Sequence, residues 1–357
     1  MTLLSGRSLT LILLLIFACP LSAKTQQVFR LSPDNGLSQG VVNRLSLDQH
    51  QQLWLATDGG LDRFDGYQSR PLYSELLTAN PPVYDIQWVS PTLLHIATAS
   101  EGLLQLDVTT QQMTQLHRPA AELDDIFDDL IYLIHVASNQ SIFYADSTGV
   151  YLRQDDALKQ LFQLDTSNIH QHFINTILDM DHYLLIATSQ GLWLHDTEQQ
   201  QSWQLHYVTE PNSDQQYSKS LHLDADYLYV GTVEGLYAIK RSDLTQPPQD
   251  ATKIMVDATA LLQDENIWRI RAAPDSMHSL LLGTNKGLLE LDTVSQTATV
   301  LFQPSRTQQP FLIIVFSILF RMNMATSGSP PVVMVLIIGS HRLITLPTLK
   351  IQPLQRH

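Results

Sequence analysis

The chain of 357 residues holds a single cysteine, Cys19. That residue lies in an N-terminal stretch read below as removable. The mature protein is then expected to have no disulfide, no thiol nucleophile and no cysteine-based zinc site. Its fold must be held by an apolar core alone. Charge is also scarce, at 16% of residues, and unbalanced, with a net charge of −14. A surface this acidic repels nucleic acid and anionic lipid, so neither is expected as a partner. No apolar run reaches the roughly 20 residues needed to cross a bilayer. No long stretch of helical period lies between the strand-like segments, which argues against parallel βαβ folds. What remains is 44% hydrophobic residues, a globular composition rather than a disordered one.

Residues 1–23 read as a secretory signal peptide. Arg7 is the only charge there, the apolar run Leu9 to Ala18 follows, and Leu21-Ser22-Ala23 offers small residues for cleavage after Ala23. A lipoprotein anchored through Cys19 is disfavoured by the bulky Phe17 two residues earlier.

One phrase then recurs along the chain. Its clearest copy is Leu53-Trp54-Leu55-Ala56-Thr57-Asp58-Gly59-Gly60-Leu61-Asp62-Arg63-Phe64. The marker glycines are Gly60, Gly102, Gly149, Gly191, Gly235 and Gly287, separated by 42, 47, 42, 44 and 52 residues. In each copy a short β-prone run meets a polar turn ending in glycine, which can take positive φ without steric cost, and a second run follows. The pair predicts a β-hairpin. Upstream of most copies lies a third strand-like run, such as Val41 to Leu47 or Phe173 to Leu178. Units of this size with several strands predict an all-β fold, a β-propeller of about six intact four-stranded blades in a seven-bladed ring. Residues 24–310 form this propeller, with the last blade disrupted.

The first repeat is the most specific. It begins Phe29-Arg30-Leu31-Ser32-Pro33-Asp34-Asn35-Gly36-Leu37-Ser38 and ends Asp58-Gly59-Gly60-Leu61-Asp62-Arg63-Phe64-Asp65-Gly66-Tyr67. This resembles the two-component-regulator propeller repeat of bacterial sensor proteins. The family's hallmark is Gly-Leu-Ser, a strand, Leu-Trp-Ile-Gly-Thr, then Gly-Leu and an aromatic-Asp-Gly turn. Later repeats keep only the hairpin core, and the similarity covers about Gln27 to Leu301. The resemblance implies a periplasmic sensor region of a membrane-anchored, dimeric parent whose output is a histidine kinase or a diguanylate cyclase. No phosphoacceptor box, cyclase motif or ATP-binding glycine box occurs in the chain.

Residues 311–357 change character. They contain no Asp or Glu, whereas the preceding 310 residues hold all 35. They are read as a frameshifted, non-native tail. When each new codon is taken as the last base of one codon plus the first two of the next, Met322-Asn323 forces Glu. Met324-Ala325 and Met334-Val335 each force Gly. The remaining junctions permit Asp-Glu-(Tyr/His)-Gly-Asn-Ile-Trp-Leu-Ala-Thr-Ser-Gly-Asp-Gly, another copy of the repeat.

Five sets of residues are candidates for chemistry. Asp124, Asp125, Asp128 and Asp129 lack the glycine and alternation of a calcium loop and read as a solvated loop. Asp179, Asp181 and His182 could bind metal or act as acid and base, but Asp48, Asp224 and Asp226 occupy the same position elsewhere, which makes it a recurrent turn. His195-Asp196 lacks a nucleophile context. Thr57, Thr98, Thr188, Thr232 and Thr284 recur with the hairpin and are expected to bond the turn backbone. Trp54 is expected between blades. Of Trp88, Trp193, Trp203 and Trp268, one or two could stack on a sugar-like ligand near the axis. No catalytic, cofactor-binding or metal-ligating residue is assigned, no cofactor is expected, and the ligand-binding residues are not legible. The expected function is a periplasmic sensor for a small molecule, an oligosaccharide or a partner protein. A propeller lyase or glycosidase, or a scaffold that senses nothing, are the alternatives.

Overall fold

Leu53–Thr57 is buried at all five positions. It pairs antiparallel with Gly60–Phe64 across a two-residue turn. A strand apolar on both faces needs a layer on each side, and one small sheet cannot supply either. The chain solves this by repetition. The computed structural model describes residues 27–302, apart from short stretches of which 119–129, 165–172 and 208–216 are the longest, together with 319–321 and 333–338.

Six antiparallel four-stranded blades follow in chain order, each built outward from its first strand. The first-strand spans are Val42–Leu47, Val83–Trp88, Leu133–Val136, Ile174–Met180, Ser218–Leu223 and Ile267–Ala272. Each of these inner strands touches the next, from blade 1 to blade 6, so they surround a common axis. The architecture is the β-propeller that the repeat predicted.

The core consists of the seams between blades. Trp54, Ala56 and Leu61 of blade 1 pack on Val83, Ile86 and Ile96 of blade 2. Comparable clusters join blades 2 and 3, 3 and 4, 4 and 5, and 5 and 6. The opposite face of blade 1 differs. Val42, Leu45, Leu53, Leu55 and Phe64 cluster with Leu31 and Leu37, and no other blade among the described residues contributes. Leu31 ends the strand Gln27–Leu31, which pairs parallel with Val333–Ile338; that strand pairs antiparallel with Leu319–Arg321. The signal peptide lies outside the described residues, as does most of the 311–357 tail.

The hairpin threonines act as expected. Thr57 Oγ1 donates to Gly60 O at 2.9 Å and accepts from Gly59 N at 3.1 Å. The same donation recurs at Thr98, Thr188, Thr232 and Thr284. The glycines divide into two kinds. Gly60, Gly102, Gly191 and Gly287 have positive φ, as the turn requires. Gly149 and Gly235 are not among the positive-φ residues. There a Cβ would meet the Phe162 carbonyl oxygen at 2.0 Å and that of Leu262 at 2.2 Å. At these two positions the missing side chain serves the close approach of the outer strand, not the turn.

The longest repeat separation also has a physical cause. Between the third and fourth strands of blade 5 the chain inserts the short helix Arg241–Leu244 and the strand Lys253–Val256. That strand adds to blade 4, parallel to its outer strand Gln201–Tyr207. It covers an edge that would otherwise offer unpaired backbone groups. Trp203 Nε1 donates to Pro248 O of the insertion at 2.9 Å.

Candidate functional site

A β-bulge interrupts the pairing near the start of the inner strands. In blade 1, Val42 pairs with Thr57 and Arg44 with Ala56, which leaves Asn43 unopposed. The same slip leaves Tyr84, Asn175, Lys219 and Trp268 unopposed in blades 2, 4, 5 and 6. In blade 3, Tyr132 N donates to Ala145 O while Leu133 faces the same Ala145. A bulge re-aims the extra residue, and here it does so once per blade at one mouth of the axis.

Most of these residues reach the next blade. Asn43 Nδ2 donates to Val83 O at 2.9 Å. Tyr132 OH accepts from Ile174 N at 2.8 Å, and burial raises its phenol above the usual range. Asn175 Nδ2 donates to Ser218 O at 2.8 Å. Lys219 Nζ donates to Asn266 Oδ1 at 2.8 Å and lies 3.2 Å from the centre of the Trp268 ring. Burial lowers the Lys219 amine to about 8. The ring of bulges is therefore a lacing between blades as well as a lining.

Four of its members, Asn43, Tyr84, Tyr132 and Asn175, line a half-open cavity of about 270 Å³ together with Phe173, Arg44, Asp85 and Arg269. Arg44 Nε stands 3.0 Å from Asp85 Oδ1. Asp85 Oδ2 accepts from Ile134 N of blade 3 at 2.8 Å. Burial raises the Asp85 carboxyl, and Arg44 and the backbone donors pull it back only in part. Burial, with help from Arg44 and Arg271, lowers the Arg269 guanidinium to about 10. Chemically the cavity offers guanidinium and amide donors, aromatic walls and one carboxylate that is already paired. A glycosidase or lyase needs convergent carboxylates or a metal. Among the described residues, no group of three or more His, Cys, Asp or Glu is placed to hold a metal ion.

The candidates from sequence fall elsewhere. Asp124, Asp125, Asp128 and Asp129 lie outside the described residues. Asp48 and Asp224 are turn residues, as expected. Asp48 Oδ1 accepts from His50 N and Gln52 N, and its Oδ2 from Trp54 Nε1. Asp224 repeats the pattern with Asp226 N, Tyr227 N and the Tyr229 hydroxyl. Asp181 has the positive φ of a turn residue and faces Arg241 at 3.3 Å. Asp179 does not share that position: it lies within Ile174–Met180 and bonds His135 and Ser138 of the preceding blade. His182 Nε2 stands 3.7 Å from Asp196 Oδ2. His195 is fully buried beside Ser202, and burial lowers its imidazole to about 4, which keeps it neutral.

Trp54 is buried in the seam between blades 1 and 2 as expected, with Trp88 edge-on at 5.7 Å. Trp193 packs against Phe162, and Trp203 is buried between blades 4 and 5. Only Trp268 stands at the axial mouth, and Lys219 covers one of its faces. Reasoning from sequence missed the bulge ring because a one-residue slip in pairing leaves no mark on composition. Only the alignment of Asn43, Tyr84, Tyr132, Asn175, Lys219 and Trp268 against their hairpins could have revealed it.

No family model matches the chain, and no curated protein does. Solved structures do. The extracellular domain of the putative hybrid two-component system BT4673 from Bacteroides thetaiotaomicron is 17% identical, with a TM-score of 0.58, over 75% of this chain and 34% of that one. The corresponding domain of BT3049 from the same organism is 18% identical, with a TM-score of 0.58, over 78% and 37%. PorZ, a surface component of the type-IX secretion system of Porphyromonas gingivalis, is 11% identical, with a TM-score of 0.53, over 77% and 43%. The chain thus spans about a third of the length of the two-component domains it matches. At these identities the likeness establishes architecture alone: this chain is a β-propeller, a fold it shares with the extracellular domains of two putative hybrid two-component systems.

Proposed function

We propose that the chain is the ligand-sensing propeller of an exported, membrane-anchored bacterial signal-transduction protein, acting in the periplasm. One observation carries this reading: a cavity at the propeller mouth, lined from several blades, in a fold shared with extracellular domains of hybrid two-component systems. Since each inner strand from blade 1 to blade 5 is tied to the next, a ligand that tightens one blade contact biases its neighbours. The ligand is a small molecule, an oligosaccharide or a segment of a partner protein. The parent is a dimer with a histidine kinase or diguanylate cyclase output. The frameshifted-tail reading of residues 311–357 belongs to the same proposal. The one-sided cluster on blade 1 supports it, since a seventh blade would cover that face.

Two experiments test the reading. Alkaline phosphatase fused after Phe302 should be active in cells, because it folds only after export; an inactive fusion at normal abundance would exclude a periplasmic module. The nucleotide sequence after codon 300, read in all three frames, should encode a further repeat and then a kinase or cyclase. An unshifted frame in independent isolates would remove the frameshift, and a polysaccharide-cleaving domain downstream would remove the sensor.

A further inference from the structure

The charges along the propeller axis run against those of the whole protein. The chain is strongly acidic, at −14. Yet the axial cavity is lined by Arg44 and Arg269 against a single carboxylate, Asp85. Asp85 is already committed: Arg44 lies 3.0 Å from one of its oxygens, and Ile134 N donates to the other at 2.8 Å. Among the described residues, no carboxylate is in ion-pair contact with Arg269. Arg271 follows two positions later on the same inner strand, again with no carboxylate in ion-pair contact among the described residues. It is exposed by surface area, yet burial and the nearby Arg44 hold its guanidinium below the usual range. Arg271 stands outside the lining of the cavity and acts on Arg269 only through its charge. Lys219 at the rim adds a further cation.

Arg44 and Arg269 share the one carboxylate of Asp85 and repel each other, with Arg271 adding to that repulsion, unless something negative joins them. Structural ion pairs come balanced, since an uncompensated buried charge is costly. Guanidinium is also the side chain best shaped to grip a carboxylate or phosphate with two parallel hydrogen bonds. We infer that the axial cavity is a site for a small organic anion, a molecule bearing a carboxylate or phosphate group held by Arg269 and Arg44, with Tyr84 and Phe173 against its apolar faces. This rests on the sensing reading and narrows its ligand class. The cavity has the volume of about nine liquid water molecules, room for a molecule of sugar-acid size but not for a folded partner. The acidic exterior disfavours large polyanions, so the site selects anions by size.

The test compares galacturonate, citrate and inorganic phosphate with neutral galactose, on the whole chain, at constant ionic strength. Calorimetry gives Kd and thermal unfolding gives Tm. At least one anion should bind and raise Tm by roughly 3 °C at about ten times its Kd, while galactose should not. Arg269→Gln should weaken that anion by about tenfold or more. The same substitution should leave the unliganded Tm unchanged or higher, because it removes a repelled charge. Arg271→Gln is the second variant, should the first fail to fold, and Arg269→Lys should retain part of the affinity. Anion binding that survives both glutamine variants overturns the inference. Equal binding of galactose and galacturonate, lost on Tyr84→Ala, also overturns it while leaving the sensor intact. No anion binding by a chain whose alkaline phosphatase fusion is active overturns the anion site alone; an inactive fusion overturns the sensor.

Discussion

The seam between blades 4 and 5 and the outer face of blade 1 are built from the same repeat and end differently. At the seam, Leu185, Ala187, Leu194, Trp203 and Tyr207 of blade 4 meet Leu228, Val230, Tyr237 and Ile239 of blade 5. The inserted strand Lys253–Val256 then binds the two blades together at their outer edge. On blade 1, Leu45, Leu53, Leu55 and Phe64 present an equally apolar surface, met among the described residues only by Leu31 and Leu37 ahead of the first inner strand. The difference teaches that a blade's pattern is indifferent to its place in the ring. Each sheet is apolar on both faces because it is made to be stacked, and stability is a sum over seams. Where a ring is not closed by a like partner, the same pattern becomes a surface in need of cover.

The largest effect should come from equivalent positions in an inner seam, here the one between blades 3 and 4, and on the outer face of blade 1. Ile186 of blade 4 and Leu55 of blade 1 hold the same place in the hairpin, and both are fully buried. Ile186 packs among Phe143, Ala145 and Phe162 of blade 3. Truncating a large aliphatic residue in a packed core costs about 2–5 kcal/mol, more where the surroundings cannot collapse. Ile186→Ala should fall near about 4 kcal/mol and Leu55→Ala near about 2 kcal/mol in urea unfolding. Equal costs would mean that the outer face of blade 1 is as firmly packed as an inner seam, and the comparison would break.

The fold was legible because the hairpin is short and its punctuation strict. Thr57, Gly60 and Leu61 recur with the same roles, and repetition turns a weak local signal into an architecture. The site was not legible for the same reason. Asn43, Tyr84, Tyr132, Asn175, Lys219 and Trp268 share a position and no chemistry, since the bulge constrains the backbone and leaves the side chain free. Sequence alone groups Asp179 with the turn aspartates, because spacing hides that it sits two residues before the turn residue Asp181, within the strand and bonded to blade 3. Glycine misled in a milder way. Gly149 and Gly235 occupy the marker position for crowding rather than for positive φ, and the sequence cannot separate the two needs.

A smaller effect should be the same on both sides. Thr188 Oγ1 donates to Gly191 O at 2.9 Å and accepts from Gln190 N at 3.0 Å. Thr57 does the same within blade 1. Valine keeps the shape and loses the hydroxyl, which leaves buried backbone groups unmet at about 1–3 kcal/mol. Thr188→Val and Thr57→Val should therefore match within about 0.5 kcal/mol, and the double variant should be additive. A larger loss at Thr188 would show that turns and seams are coupled, and would sharpen the difference between the two regions.

The smallest effect concerns a seam tie that is polar. Asp179 of blade 4 accepts from His135 Nε2 at 2.8 Å, from the Ser138 hydroxyl at 2.6 Å and from Ser138 N at 3.0 Å, all of blade 3. The hydrogen bond from His135 does most to hold its carboxyl well below the ordinary value of 3.8. A carboxyl depressed in the folded state favours folding above its unfolded pKa, and that contribution is lost as pH falls through the folded pKa. Asp179→Asn should therefore lower Tm at pH 7 and do so less and less below about pH 4, where the unfolded carboxyl begins to hold its proton. The tie is partly open to solvent, so the effect at pH 7 should be modest and should shrink as salt is added. The face of blade 1 has no described counterpart to this tie, so Ser46→Asp there should show no such loss between pH 4 and pH 2. A Tm difference for Asp179→Asn that stays constant down to pH 2 would mean that the tie works through shape alone and that its charge contributes nothing to the seam.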